Sequence, residues 1–163
     1  MPRLSACLAL ILLAAAPGPV LAQSANVSFG ALKQDTALPV EVTADDLAVD
    51  NTTGSAVFSG NVVIVQGEMR LGAQEVLVVY TENRDAIARL EAKGGVTLVS
   101  GPDAAESRTA NYDIDSGTIV MVGDVLLTQG KSALSAERMT VHLEDGTAQM
   151  SGRVRTILQT GDN

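Results

Sequence analysis

The fold follows from the stretch at residues 54–67, which reads GSAVFSGNVVIVQG. The same spacing of glycines, with a Val two residues after the middle glycine and a final Gln-Gly, returns at residues 117–130 as GTIVMVGDVLLTQG. Weaker copies lie at residues 88–101 and 146–154. The middle glycines are Gly60, Gly94, Gly123 and Gly152. Their spacing gives a period of about 29 to 34 residues, which indicates stacked copies of one supersecondary unit.

Each copy alternates apolar and polar residues with a period of two, the pattern of a half-buried strand. Polar turns such as Asp115-Ser116-Gly117 separate the strands. No segment carries an apolar stripe at helical spacing. The sequence therefore predicts an all-β protein of roughly eight to twelve strands, arranged as a sandwich, a jelly roll or a barrel.

Two facing sheets would bury one row of side chains from each strand. The interior must be aliphatic, because the chain has no Trp, two Phe and two Tyr. Such a wall is either an ordinary core or a surface for hydrocarbon chains, each buried CH₂ contributing about 0.8 kcal/mol. The predicted inner rows are Val40, Val42, Leu47, Val49, Ala56, Phe58, Val62, Ile64, Val76, Val78, Leu98, Tyr112, Ile114, Met121, Val125, Leu127, Met139 and Val141.

The N-terminus has the pattern of a secretory signal peptide. Arg3 precedes an apolar run of thirteen residues, and a small-residue cleavage site ends at Ala22. The run is too short for a membrane span, which needs about 20 apolar residues. We therefore predict a signal peptide at residues 1–22, a flexible lead-in at 23–37, one β domain at 38–158 and a short tail at 159–163.

Charge and residue usage disfavour several functions. A net charge of −8 without a basic patch disfavours nucleic-acid binding. The single histidine, His142, is out of phase with Met139 and is expected to face solvent. Asp113 and Asp115 are more typical of a hairpin turn than of a calcium-binding loop. The pair Asp45-Asp46 is expected to lie on a solvated face, and the alternative is a weak site for a divalent ion. We predict no catalytic residues, no metal and no cofactor, since no nucleophile–base pair can be named for a hydrolase.

Three segments resemble the OstA-like domain: residues 38–45 (LPVEVTAD), residues 58–67 (FSGNVVIVQG) and residues 123–130 (GDVLLTQG). Over residues 38–158 the chain is similar to the LptA family of periplasmic lipopolysaccharide transport proteins. The resemblance implies a twisted β-jelly roll, or two-sheet antiparallel sandwich, with an open hydrophobic groove. It also implies protomers joined edge to edge, last strand to first, with lipid A acyl chains inside the groove and the sugars in water.

The expected function is thus a non-enzymatic periplasmic bridge for lipopolysaccharide. The implied partners are an LptC-like inner-membrane protein, an LptD-like outer-membrane protein and further copies of the chain. Because the protein is acidic, it should recognise acyl chains, with the phosphates in water or bridged by divalent ions. The alternative is a periplasmic β-sheet adaptor that binds only proteins. The expected groove residues are Val40, Val42, Leu47, Val49, Phe58, Val62, Ile64, Leu98, Tyr112, Ile114, Met121 and Met139.

Overall fold

The computed structural model describes residues 24–28 and 36–157. These residues contain strands and turns but no helix. No segment of this part is therefore a helix long and apolar enough to cross a membrane. The strands are β1 (Ala25–Ser28), β2 (Glu41–Thr43), β3 (Asp46–Asp50), β4 (Ser55–Gln66), β5 (Met69–Tyr80), β6 (Ile87–Ser100), β7 (Asp103–Asp113), β8 (Thr118–Gln129), β9 (Ser132–His142), β10 (Thr147–Ser151) and β11 (Arg155–Ile157).

The strands form one antiparallel sheet in the order β1-β10-β9-β8-β7-β6-β5-β4-β2. Strand β3 also pairs with β4, and β11 also pairs with β9. From β3 to β10 the neighbours follow chain order, so the domain is a series of hairpins. Strand β1 is the exception, because it lies at the far edge of the sheet, beside β10.

Each long strand is divided by an irregularity near its centre. In β4 the register with β5 shifts between Ser59 and Val62, and equivalent shifts recur between the strands up to β9. A bulge bends a strand and increases its twist. We call the part containing residues 55–59 of β4, with the residues paired to them across the sheet, the first half. The second half contains residues 62–66 of β4 and the residues paired to those.

The core lies between the two halves. Leu98, Ile119, Met121 and Met139 have no accessible surface, although no helix covers the sheet in the described residues. The cover for one half must therefore be the other half of the same bent sheet. The buried hydrophobic residues form one cluster, in which Tyr112 is the only aromatic side chain among those described. An all-β fold with an aliphatic interior is thus confirmed.

Most predicted inner-row residues are buried in this cluster. Val40, Val42, Phe58 and Ile114 are half-buried and pack against its margin. Leu47 and Val49 are instead 56% and 60% exposed. Their phase is as expected, since they pair with Phe58 and Ala56, and paired residues project from the same face of a sheet. They are exposed because β3 lies at an edge, where the described residues provide no cover.

The lead-in predicted at residues 23–37 contains structure. Residues 25–28 form β1 and pair with Thr147 to Met150 of β10. Val27 of this strand packs against the core. The predicted signal peptide and the tail at residues 159–163 lie outside the described residues.

Candidate functional site

The predicted groove residues fall into three groups along the interior. Six are closed within the core: Val62, Ile64, Leu98, Tyr112, Met121 and Met139. Four are half-buried at its margin: Val40, Val42, Phe58 and Ile114. Leu47 and Val49 form an exposed apolar pair on β3. Of the predicted groove residues, Leu47 and Val49 are thus the exposed ones, and they adjoin the core through the pairing of β3 with β4.

A buried hydrogen bond joins the two halves of the sheet. The Tyr112 hydroxyl, in the first half, donates a hydrogen bond of 2.6 Å to Oε1 of Gln66, in the second half. Both side chains are about 1% exposed. The pKa of Tyr112 is raised to about 12, chiefly by burial; the hydrogen bond to Gln66 opposes this rise and the negative charge of Asp113 adds to it. At neutral pH the hydroxyl therefore keeps the proton that it donates.

Gln66 and Gln129, the glutamines that end the two best repeat copies, also hold the N-terminal segment. Nε2 of Gln66 donates to the carbonyl oxygens of Thr36 and Leu38, at 3.0 and 2.9 Å. Nε2 of Gln129 donates to the carbonyl oxygen of Ser28 and to Oδ2 of Asp103. In the sequence pattern, Gln-Gly indicates only the repeat. The signal for a further role was a polar amide recurring at the end of an otherwise apolar strand.

The middle glycines form a row of corners where the strands bend. Gly60 has a φ of +78°, and a Cβ there would lie 2.6 Å from Oδ2 of Asp45. The next residue, Asn61, also has positive φ and donates a 2.8 Å hydrogen bond to Asp45. Two other corners repeat this polar contact, through Arg108 with Asp124 and Glu137 with Arg153. Exposed ion pairs of this kind contribute little energy; they join neighbouring strands on the solvent side.

The two ends of the sheet differ. At one end β2 and β3 pair with β4 and present their outer edges without a partner strand in the described residues. At the other end β1 covers β10, whereas the three residues of β11 are exposed, Ile157 at 57%. An uncovered edge is a template for strand addition by another chain. The sheet thus ends in two different edges, one of them partly covered by the chain's own N-terminal strand.

The titratable residues have structural roles. His142 is exposed, as predicted, and its Nδ1 lies 3.4 Å from the Thr118 hydroxyl. Asp113 accepts hydrogen bonds from the backbone N–H and hydroxyl of Ser116, and the first of these lowers the pKa of Asp113. This is the predicted hairpin turn. Within residues 24–28 and 36–157, no three His, Cys, Asp or Glu side chains are grouped so that they could hold a metal ion.

A family model matches this arrangement from the first residue of β2 to the first residue of β10. It describes LptA/(LptD N-terminal domain) LPS transport protein, and it covers residues 41–147. The chain therefore belongs to this family of lipopolysaccharide transport proteins. The predicted resemblance to the LptA family is confirmed, and with it the prediction that the chain is a transport-family protein and not an enzyme.

Individual relatives agree with this assignment. An uncharacterized protein of Rhizobium meliloti is 30% identical over 169 residues, which cover 96% of this chain and 91% of that protein. The lipopolysaccharide export system protein LptA of Escherichia coli K12 is 22% identical, over 85% of this chain and 82% of that protein. LptH of Pseudomonas aeruginosa, described as the LptA-homologous periplasmic component of a lipopolysaccharide transport device, superposes with a TM-score of 0.69. It is 19% identical and covers 78% of this chain and 99% of LptH. The jelly-roll fold class is thereby confirmed.

Proposed function

We propose that the protein is a periplasmic bridge that binds lipopolysaccharide and carries it from the inner to the outer membrane. Its acyl chains would lie against the aliphatic surface between the two halves of the sheet. The periplasmic location is supported by the signal-peptide pattern at residues 1–22 and by the description of LptH as a periplasmic component. The cargo is supported by membership of a lipopolysaccharide transport family.

The observation that carries the proposal is the composition of the interior surface. Its buried hydrophobic side chains, in the described residues, are those of Val, Ile, Leu, Met and Ala plus Tyr112. Leu47 and Val49 adjoin this surface through the pairing of β3 with β4, and the buried carboxylate of Asp103 lies at its margin, at the start of β7. Such a surface suits saturated hydrocarbon, whose transfer from water is favourable by about 0.8 kcal/mol per CH₂.

Lipid entry would begin at β2 and β3. Leu47 and Val49 are already exposed, and Val42 lies beside them at the margin. The six closed residues would contact an acyl chain only when the two halves separate. The hydrogen bond between Tyr112 and Gln66 would have to break for this separation, because it joins the halves directly.

The head group would remain in water. At a net charge of −8 the protein repels phosphates on average. Recognition would therefore depend on the acyl chains, with the phosphates hydrated or bridged by divalent cations. The cations among the described residues are spread over the outer surface, and several are paired with carboxylates, as Lys93 is with Glu75.

The open edges would extend the bridge. Strand addition at β2–β3 and at β10–β11 would join copies head to tail and align their interior surfaces. The same edges would join an LptC-like protein at the inner membrane and an LptD-like protein at the outer membrane. The outer edges of β2, β3 and β11 support this proposal, because none of them has a partner strand in the described part of the chain.

Photo-crosslinking in the native cell tests the lipid assignment. A photoreactive residue at Val42 or Leu47 should give lipopolysaccharide adducts, whereas one at His142, on the outer surface, should give none. Adducts at His142 without adducts at Val42 would contradict the proposal. A protein that yields no adduct at any of the three positions, and copurifies without lipopolysaccharide, would instead support the adaptor that binds proteins only.

A further inference from the structure

The position of strand β1 in the sheet does not follow the hairpin order of the chain. All other strands from β2 to β11 pair with strands close in sequence, but β1 pairs with β10, more than 100 residues later. It covers the edge that would otherwise end the sheet. Natural sheets protect such edges against unwanted pairing. Without β1, the edge of β10 would be open to a strand from another chain.

The register of the repeat determines which strand would fit on β10. At each corner a glycine on one strand lies beside a corner residue on its neighbour: Gly60 beside Asp45, Gly94 beside Gln74, and Gly152 beside Glu137. Each strand that contains one of the first three middle glycines pairs in a constant register with the strand that follows it in the chain. The residue directly before the glycine pairs with the residue directly after the corner residue of that following strand. These pairs are Ser59 with Glu75, Lys93 with Thr109, and Val122 with Arg138.

Strand β10 ends directly before the last of these glycines, Gly152, and β3 begins directly after the first corner residue, Asp45. The same register therefore pairs Ser151, which precedes Gly152, with Asp46 of a second copy. It places Leu47 of that copy opposite Met150 and Val49 opposite Ala148. All neighbouring strands are antiparallel, so β3 of a second copy would also continue the alternation of strand directions.

Strand β1 pairs with β10 in this same register. Ala25 pairs with Met150 and Val27 pairs with Ala148. Ala25 and Val27 thus cover the two buried residues that Leu47 and Val49 of a second copy would cover. Leu47 and Val49 are exposed at the opposite edge of the chain, with the same spacing of two residues.

We propose that β1 is an internal substitute for β3 of a second copy, and that full edge-to-edge joining requires β1 to leave β10. This inference rests on the self-association in the proposed function. With β1 in place, the last edge offers a partner only the short strand β11. With β1 released, the partner's β2–β3 can pair along both β11 and β10. The N-terminal strand therefore limits the length to which copies assemble.

A reversible disulfide tests the proposal. In a chain with Cys7→Ala, the substitutions Asn26→Cys and Gln149→Cys place cysteines at directly opposite positions of β1 and β10. Opposite residues in an antiparallel pair have Cα atoms about 4.5–5.5 Å apart, within the range for a disulfide. Oxidation should hold β1 in place, and reduction should free it. Self-association is then measured by sedimentation in both states of the same protein.

The reduced form should associate at least about tenfold more tightly than the oxidised form. Equal association of the two forms would overturn the inference and leave the bridge proposal intact. Covalent dimers of the oxidised protein would also overturn it, because β1 would then pair with another copy. If neither form associates, head-to-tail joining fails as well, and the crosslinking at Val42 tests lipid binding separately.

Two further variants locate the partner strand. Leu47→Asp in the reduced double-cysteine protein should return its association to the oxidised level. Ala48→Cys with Gln149→Cys, in a chain that keeps Asn26, should form disulfides only between copies, because the register pairs residue 48 of one copy with residue 149 of the next. Unchanged association in the first variant, or no covalent oligomer in the second, would contradict the assignment of β3 to this site.

Discussion

The hydroxyl of Tyr112 donates a 2.6 Å hydrogen bond to Oε1 of Gln66, which lies 46 positions earlier in the chain. The bond joins the two halves of one bent sheet across an otherwise aliphatic core. Gln66 also donates to two carbonyl oxygens of the N-terminal segment. One buried amide therefore connects three parts of the fold, and any separation of the halves must disrupt it.

Tyr112→Phe should destabilise the protein by about 0.5–1.5 kcal/mol, because it removes a buried hydrogen bond to Oε1 of Gln66. Tyr80→Phe is the matched control, since Tyr80 is 36% exposed and its change should cost less than about 0.5 kcal/mol. Urea unfolding at pH 8 measures both. Equal stability of the two variants would show that the buried bond contributes nothing.

The same tyrosine should make the fold sensitive to alkali. Burial raises the pKa of Tyr112 from 10.0 to about 12. Between these values the unfolded chain loses the proton more readily than the folded one, so stability present below pH 10 falls as the pH rises towards 12. Urea midpoints from pH 8 to 12 should decrease less for Tyr112→Phe than for the parent. Parallel decreases would contradict this cause.

Gly94→Ala should be more destabilising than Gly101→Ala. Both glycines have positive φ, which costs an L-residue about 1–2 kcal/mol. A Cβ at Gly94 would also lie 2.7 Å from Cβ of Gln74, whereas nothing lies within 4 Å at Gly101. The overlap should add about 1–3 kcal/mol. Thermal unfolding of the two variants gives the difference directly, and equal losses would show that the corner has room.

Leu47→Ala and Leu98→Ala should separate lipid binding from stability. Leu98 is fully buried, so its truncation should cost about 2–5 kcal/mol. Leu47 is 56% exposed, and its change should alter the free energy of unfolding by less than about 0.5 kcal/mol. Leu47→Ala should nevertheless weaken lipopolysaccharide binding in a pull-down assay. Unchanged binding would remove Leu47 from the proposed entry site.

Affinity should depend on acyl-chain length and little on salt. Each CH₂ removed from a bound chain should weaken binding by about 0.8 kcal/mol, or roughly fourfold. Lipid A variants with progressively shorter chains, titrated against the protein in 0.05 and 0.5 M salt, would test both parts. A strong loss of affinity with salt, at constant chain length, would indicate recognition of the phosphates instead.

Much of the site was predictable because alternation along a strand determines which face a side chain occupies. Val62, Ile64, Met121 and Met139 were expected to face inwards, and they are buried. Leu47 and Val49 were placed on the correct face, but their exposure depends on lying in an edge strand. The position of a strand within a sheet is a long-range property, and period-two alternation does not contain it.

The all-β class, the repeated corners, the aliphatic interior and the family can be predicted from residue types alone, because each of these depends on residue type at local spacing. The contact of Gln66 with Tyr112, the pairing of β1 with β10 and the exposed edge at β3 are visible only in the folded protein. These contacts join residues far apart in the chain, and they form only once the sheet bends and brings its two halves and its N-terminal strand together.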